Sequence, residues 1–401
     1  MLIFLRTPHF YDKIYVKFNT PKGENKMTEK ELREIKKRFR PERSNIPRIV
    51  GCFVNENKQI LARITQSLGL EESIVSEKLL GTMKKTLSGS LGTNLTAIPF
   101  STRQVTDSEE HKLLMGLVRS ELKDAELLEK FYTRVIDSVK LDSNFVILLA
   151  NDIYDVPSYS KDGERGESEE IFSYIIASIC PIKSIPETLT FRESDSLFHA
   201  LGVTGVLAAP ELGFMFPSFD DRRTNIYNAL YYTRNLGDNC PDFMKNIFDA
   251  EPVMPPKAQK EVFSDCLTEV LAEECSFEVV RSVHAQVAEM VESHKESKDP
   301  EPLLITKTTV KTILENCGVA EEKIDALDSK FDESFGKNAE LAPKNVVSTS
   351  RFEVKTPDVS IKVSPEHRDV ISTQTVGGTK YVMIRVTGPV EVNGINIEIE
   401  D

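Results

Sequence analysis

Two apolar runs dominate the pattern along the chain: residues 144–154, NFVILLANDIY, and residues 171–180, IFSYIIASIC. Both are rich in β-branched and aromatic residues and too short for ordinary helices, so they predict strands. Their apolar character does not alternate, which predicts strands covered by helices on both faces. The stretch between them, VPSYSKDGERGESEE, carries Pro, Gly and Ser and predicts a long hairpin loop.

Helical periods surround this pair. Thr28 with Glu31 forms a capping box, and Leu32, Ile35 and Phe39 then share one face until Pro41. Residues 48–54 predict a strand, 55–58 its turn, and 59–64 a returning strand or the start of a helix. Residues 71–87 predict a helix with Ile74, Leu79, Met83 and Leu87 on one side. Further helices are predicted over 110–119, 124–139, 225–232, 257–272 and 277–294. The charged, Pro-bearing stretch 293–302, SHKESKDPEP, predicts a linker. Beyond it, 308–316 and 320–335 predict a helical hairpin with Gly318 as C-cap. From residue 351 the period falls to two, with Gly377-Gly378 and Asn393-Gly394 placed for tight turns.

The expected class is α+β: a mixed domain whose central apolar strand pair is covered by helices, plus a C-terminal helical hairpin and antiparallel β-meander. The expected division is an upstream extension over 1–27, a core domain over 28–292, a linker over 293–302 and a C-terminal unit over 303–401. The first residues show no helical period, and residues 22–27 read back as a purine-rich ribosome-binding sequence before a Met codon. Met27 is therefore the expected start of the natural protein.

Composition narrows the function classes. The chain has 401 residues, 40% hydrophobic and 28% charged, which describes an ordinary globular protein. No run reaches the ~18 apolar residues needed to span a bilayer, so no membrane partner is expected. Six scattered cysteines without a CxxC pair argue against a disulfide framework or zinc site and for a reducing cytoplasm. The net charge of −13 opposes coating of nucleic acid by the whole surface. Residues 28–48, however, hold eight Lys/Arg against four Glu, a local +4 that leaves −17 on the remainder.

The usual nucleotide, metal and acyl-transfer signatures are missing, and no cofactor or metal ligand set is expected. Asp152 and Asp155 lie at a strand exit, where paired carboxylates could hold a divalent ion, with Asp220 or Asp221 assisting; turn chemistry is the alternative. In residues 211–223, ELGFMFPSFDDRR, Phe214, Phe216, Phe219, Arg222 and Arg223 form either an aromatic–Arg surface for nucleic acid or a buried edge with an internal Asp–Arg pair. Residues 88–94, SGSLGTN, read as a phosphate loop or as a helix exit needing positive φ; the loop holds no lysine. His284, on an apolar helical face, reads as a core or interface residue. Arg33, Lys36, Lys37, Arg38 and Arg40 form a basic helical face that either meets phosphates or is solvated. The predicted hairpin over 308–335 is structural, because its second helix is too acidic to read DNA.

The strings TEKELREIKKRF, KTLSGSLGTNL, NDIYDVP, SICP, ELGFMFPSFDDR, FEVKTPDV and VEVNGINI resemble a bacterial domain-of-unknown-function family, number 4317, from Thr28 to the end. That resemblance implies no established activity. The layout is also similar to the nucleoid-associated NdpA family, with VILLANDIYDV, FSYIIASI and SIKV…KYVMIRVTGP as corresponding pieces. This likeness implies a non-enzymatic protein associated with DNA or chromosome-bound partners. The expected function is accordingly a cytoplasmic, non-enzymatic binding protein contacting nucleic acid or a chromosome-bound protein, with homodimerisation through paired helices and the meander edge. A metal-dependent hydrolase using Asp152 and Asp155 is the alternative.

Overall fold

The first described helix, α1 (Glu29–Lys36), starts at the capping box that the sequence predicts: Thr28 and Glu31 each accept from the other's backbone N–H. Two 3-10 turns follow, then β1 (Arg48–Val54), β2 (Ile60–Ser67), α2 (Ser73–Lys85) and β3 (Leu95–Pro99). Helices α3 (Thr102–Asp107), α4 (Glu109–Arg119) and α5 (Ala125–Ser138) lead into the long hairpin of β4 (Phe145–Tyr159) and β5 (Arg165–Ile185). Seven short strands come next: β6 (Thr188–Arg192), β7 (Leu197–Leu201), β8 (Thr204–Leu207), β9 (Leu212–Phe216), β10 (Ser218–Asp220), β11 (Arg223–Asn225) and β12 (Asn228–Thr233). This computed structural model describes residues 27–69, 73–159, 165–202, 204–297, 299, 301–337, 339–348 and 351–398. The expected upstream extension over residues 1–26 lies outside them.

The main sheet is eight-stranded and antiparallel, in the order β2-β1-β4-β5-β9-β12-β3, with β8 paired to the far end of β5. The two apolar runs are its centre. Along β4, Phe145, Ile147 and Leu149 enter one core with α4, α5 and α6 (Pro241–Phe248), whereas Val146, Leu148 and Ala150 enter another with α1 and α2. Unalternating apolarity thus reflects burial on both faces, as expected. Gly51 in β1 permits the close pairing with β4, because a Cβ there would sit 2.0 Å from the Ile147 carbonyl oxygen.

Of the two readings of residues 59–64 the returning strand holds, as β2. Three local expectations are corrected. The pairing of β4 with β5 continues to Tyr159 and Arg165, so most of the predicted loop is strand. Residues 228–233 are the fully buried strand β12 rather than part of a helix; a short Ala-Leu-Tyr-Tyr-Thr run carries no period, and its neighbours β9 and β3 decide its form. On α2 the buried stripe is Leu80, Met83 and Leu87, while Ile74 points outward at 56% exposure.

The remaining helices are α7 (Pro256–Leu271), α8 (Phe277–Ser297), α9 (Lys307–Asn316), α10 (Glu321–Phe335) and α11 (Pro343–Val346). Residues 293–297, read as linker from their charge, form the last turns of α8, and Phe263, Val270, Val283 and Val287 share one core with Val310, Leu314, Leu327 and Phe331. The acidic face of α10 meets lysines of α9: Lys307 pairs with Asp332 at 2.8 Å and Lys311 with Asp328 at 2.7 Å. The antiparallel tail is three successive hairpins, β13 (Phe352–Lys355) with β14 (Ser360–Val363), β15 (Ile371–Val376) with β16 (Thr379–Ile384), and β17 (Val390–Val392) with β18 (Ile395–Ile397). Gly377-Gly378 and Asn393-Gly394 make the two-residue turns, all four residues at positive φ.

Candidate functional site

The polar exit of β4 gathers the sequence-predicted residues, and strand alternation separates them. Asp152 points to the α1 side and is 1% exposed. Arg38, just beyond α1, grips it bidentately, Nε to Oδ2 at 2.9 Å and an Nη to Oδ1 at 3.1 Å. The Tyr174 hydroxyl of β5 donates to the same carboxylate at 3.0 Å. The Arg38 guanidinium also lies 4.9 Å from the Tyr154 ring centre. Burial works against its charge, but the hydrogen bond and charge of Asp152 outweigh it and hold Arg38 above its ordinary pKa. Burial and the Asp152 charge push the Tyr174 phenol well up.

Asp155, three residues on, faces the opposite side and is exposed; its carboxylate accepts from the Ser168 hydroxyl. It borders an open cleft of about 450 Å³ with Asn45, Pro47, Glu121, Asn151, Ile153 and Ile171. The two carboxylates therefore cannot share an ion, and the paired-carboxylate expectation fails on alternation alone. Asp221 is exposed at the β10–β11 turn. Among the described residues no three His, Cys, Asp or Glu side chains come together to hold a metal. Nor is a thiol nucleophile available in the sheet: burial pushes Cys52 and Cys180 up to about 12.

The string 211–223 adopts the buried alternative. Phe214, Phe216 and Phe219 are each 0% exposed, so no aromatic surface for nucleic acid exists there. Phe219 packs on Phe172 with ring centres 4.7 Å apart. The internal pair involves α1 rather than the adjacent aspartates: Arg222 reaches Glu34 at 3.0 Å and the Pro157 carbonyl oxygen at 2.9 Å. Its backbone N–H donates to Glu31 at 2.8 Å. Arg223 is exposed.

Of the five basic candidates, Arg38 is consumed inside the fold. Arg33, Lys37 and Arg40 are exposed, and Lys36 is partly buried between them. Burial lowers the Lys36 pKa; Glu29 opposes that, while Lys84 and Arg33 add to it. The glycine-rich stretch 88–94 is the predicted positive-φ exit of α2, with Gly89 at 92° and Gly92 at 74°. It also receives α11: Asn345 donates to the Gly92 carbonyl oxygen at 2.7 Å and accepts from Thr93 at 3.0 Å, and Lys344 reaches Ser90 at 2.8 Å.

Sequence reading missed His111, which is 2% exposed, edge-on to Phe100 and Phe216, and 2.8 Å from the Ile226 carbonyl oxygen. Its only sequence signal is a histidine among apolar residues of α4. Residues 27–395 match the family model described as Domain of unknown function (DUF4317). The chain belongs to that family. No curated protein matches it. The family match spans the sheet, the α1–β4–β5 network and all but the last residues of the tail. No described helix is long and apolar enough to cross a membrane.

Proposed function

We propose that the chain is a non-catalytic binding protein that holds nucleic acid by its phosphates, through Arg33, Lys36, Lys37 and Arg40. The reading is carried by the crowding of mutually repelling cations where α1 runs into its 3-10 turn, with Arg33, Lys37 and Arg40 exposed and Lys36 partly buried. Phosphates relieve such repulsion, and their released counterions drive binding. Arg38 is left out of the contact because Asp152 holds it. The absence of a shared ion position between Asp152 and Asp155 favours binding over hydrolysis. The family placement names no activity and is neutral between the two.

Fluorescence anisotropy with a DNA duplex over a range of salt concentrations tests this. Affinity falls linearly on logarithmic axes, and replacing the four bases by Gln reduces the slope by about 0.9 for each phosphate no longer neutralised. Absence of binding at low salt, or an unchanged slope in the four-fold variant, sinks the reading.

A further inference from the structure

β10 and β11 turn back at Asp221 and Arg222, both at positive φ, and bring Ser218, Asp220 and Asn225 beside Asn228 of β12. Asp220 is 4% exposed. Its carboxylate accepts from Ser218 Oγ at 2.5 Å, Asn225 Nδ2 at 2.7 Å and Asn228 Nδ2 at 3.4 Å. All three partners are neutral. Among the described residues no Lys, Arg or His pairs with it, and the Arg222 guanidinium turns to Glu34 instead. A negative charge is therefore enclosed without a counter-charge, the costly arrangement for a buried carboxylate.

Asn228 is 7% exposed, and among the described residues its buried Oδ1 has no hydrogen-bond partner. Nδ2 and Oδ1 share one planar amide, so the unmet acceptor lies one amide width from the nitrogen that meets the Asp220 carboxylate. The Nδ2 contact at 3.4 Å is long for a hydrogen bond. One positive ion answers both the unpaired charge and the unmet oxygen.

We propose that Asp220, Asn228 and Ser218 hold a small hard cation of the sodium, potassium, magnesium or calcium type. Carboxylate, amide and hydroxyl oxygens are the donors such ions take, and the absence of His and Cys disfavours zinc. Its protein ligands beyond Asp220 are neutral oxygens, so affinity rests on one carboxylate. Because Asp220 and Asn228 are both almost fully buried, the ion is out of reach of a substrate. It fastens the β10–β11 turn to β12, and so holds Arg222 where it meets α1. This site is separate from the nucleic-acid reading and stands or falls without it.

Thermal unfolding of the full chain tests the site, after dialysis into choline chloride and titration with each chloride salt at matched ionic strength. At least one ion raises the midpoint saturably, by several degrees at high occupancy. Asp220→Asn, nearly isosteric, removes that dependence; Asn228→Leu is the second variant should the first not fold. Equal midpoints in all four salts and choline overturn the proposal, and the Asn228 oxygen is then met by water. A midpoint shift that persists in the variants overturns it too.

Discussion

Two regions of this molecule invert the usual placement of side chains, in opposite senses. Around α1 the charges are inside: Glu31, Asp152 and Asp220 are at most 5% exposed. Along β6–β7 the apolar groups are outside, with Leu189 69%, Phe191 55% and Phe198 70% exposed. The register pairs Leu189 with Ala200 and Phe191 with Phe198, so these side chains share one face of a two-stranded hairpin and nothing described covers it. The tail hairpins repeat the pattern, with Ile384 52% and Ile395 68% exposed. Removing a partner in the first region strands a charge in a poor solvent. In the second it removes only surface that already faces water, and isolated hairpins add little stability to begin with.

The contrast is broken most directly at Arg38. Arg38→Ala leaves the Asp152 carboxylate buried and unpaired, and about 3–5 kcal/mol of unfolding free energy is lost in denaturant titration. Arg38→Met combined with Asp152→Leu restores most of it, because the uncompensated charge is gone. A loss below about 1 kcal/mol in the single variant would mean that Asp152 finds other solvation.

A smaller effect comes from His284, which joins the interior to the tail. Its ring meets Phe352 of β13 at 5.7 Å, and burial first, then Lys260 and Arg368, lower its pKa to about 4. The folded state thus prefers the neutral ring. Its contribution is complete above the ordinary value near 6.5 and is lost as pH falls from there through about 4. The loss amounts to about 2–3 kcal/mol after solvent screening. Unfolding free energy measured against pH should flatten over that window in His284→Leu. A curve identical to the parent's refutes the assignment.

The smallest effect sharpens the other side. Phe191→Ser with Phe198→Ser should leave unfolding free energy within about 0.5 kcal/mol of the parent. A larger loss shows that the open face is covered in solution.

What the sequence disclosed follows the same division. The Thr28–Glu31 cap and the two glycine turns of the tail depend on neighbours within a few residues, and the both-face burial of β4 is written in its own unbroken apolar run, so all were legible. The fates of Arg38 and Arg222 depend on partners 114 and 188 residues away, and that of Phe219 on the ring of Phe172; no local pattern encodes those. β12 carries no period that marks it as a strand, because its form is imposed by β3 and β9. Asp152 and Asp155 were paired as neighbours in sequence, although an odd spacing on a strand sends them to opposite faces. The orphaned oxygen of Asn228 has no sequence signal at all.

The tie between Asn345 and the loop after α2 bears on the order in which the protein assembles. It joins groups 252 and 253 residues apart, whereas every strand of the large sheet lies within residues 48–233. A chain emerging from the ribosome N-terminus first can therefore complete its sheet before α11 exists. Until then Thr93 and the Gly92 carbonyl oxygen face water, and the exit of α2 stays open. Insertion of one asparagine amide is thus a late, long-range closure that reports the arrival of the C-terminal helices.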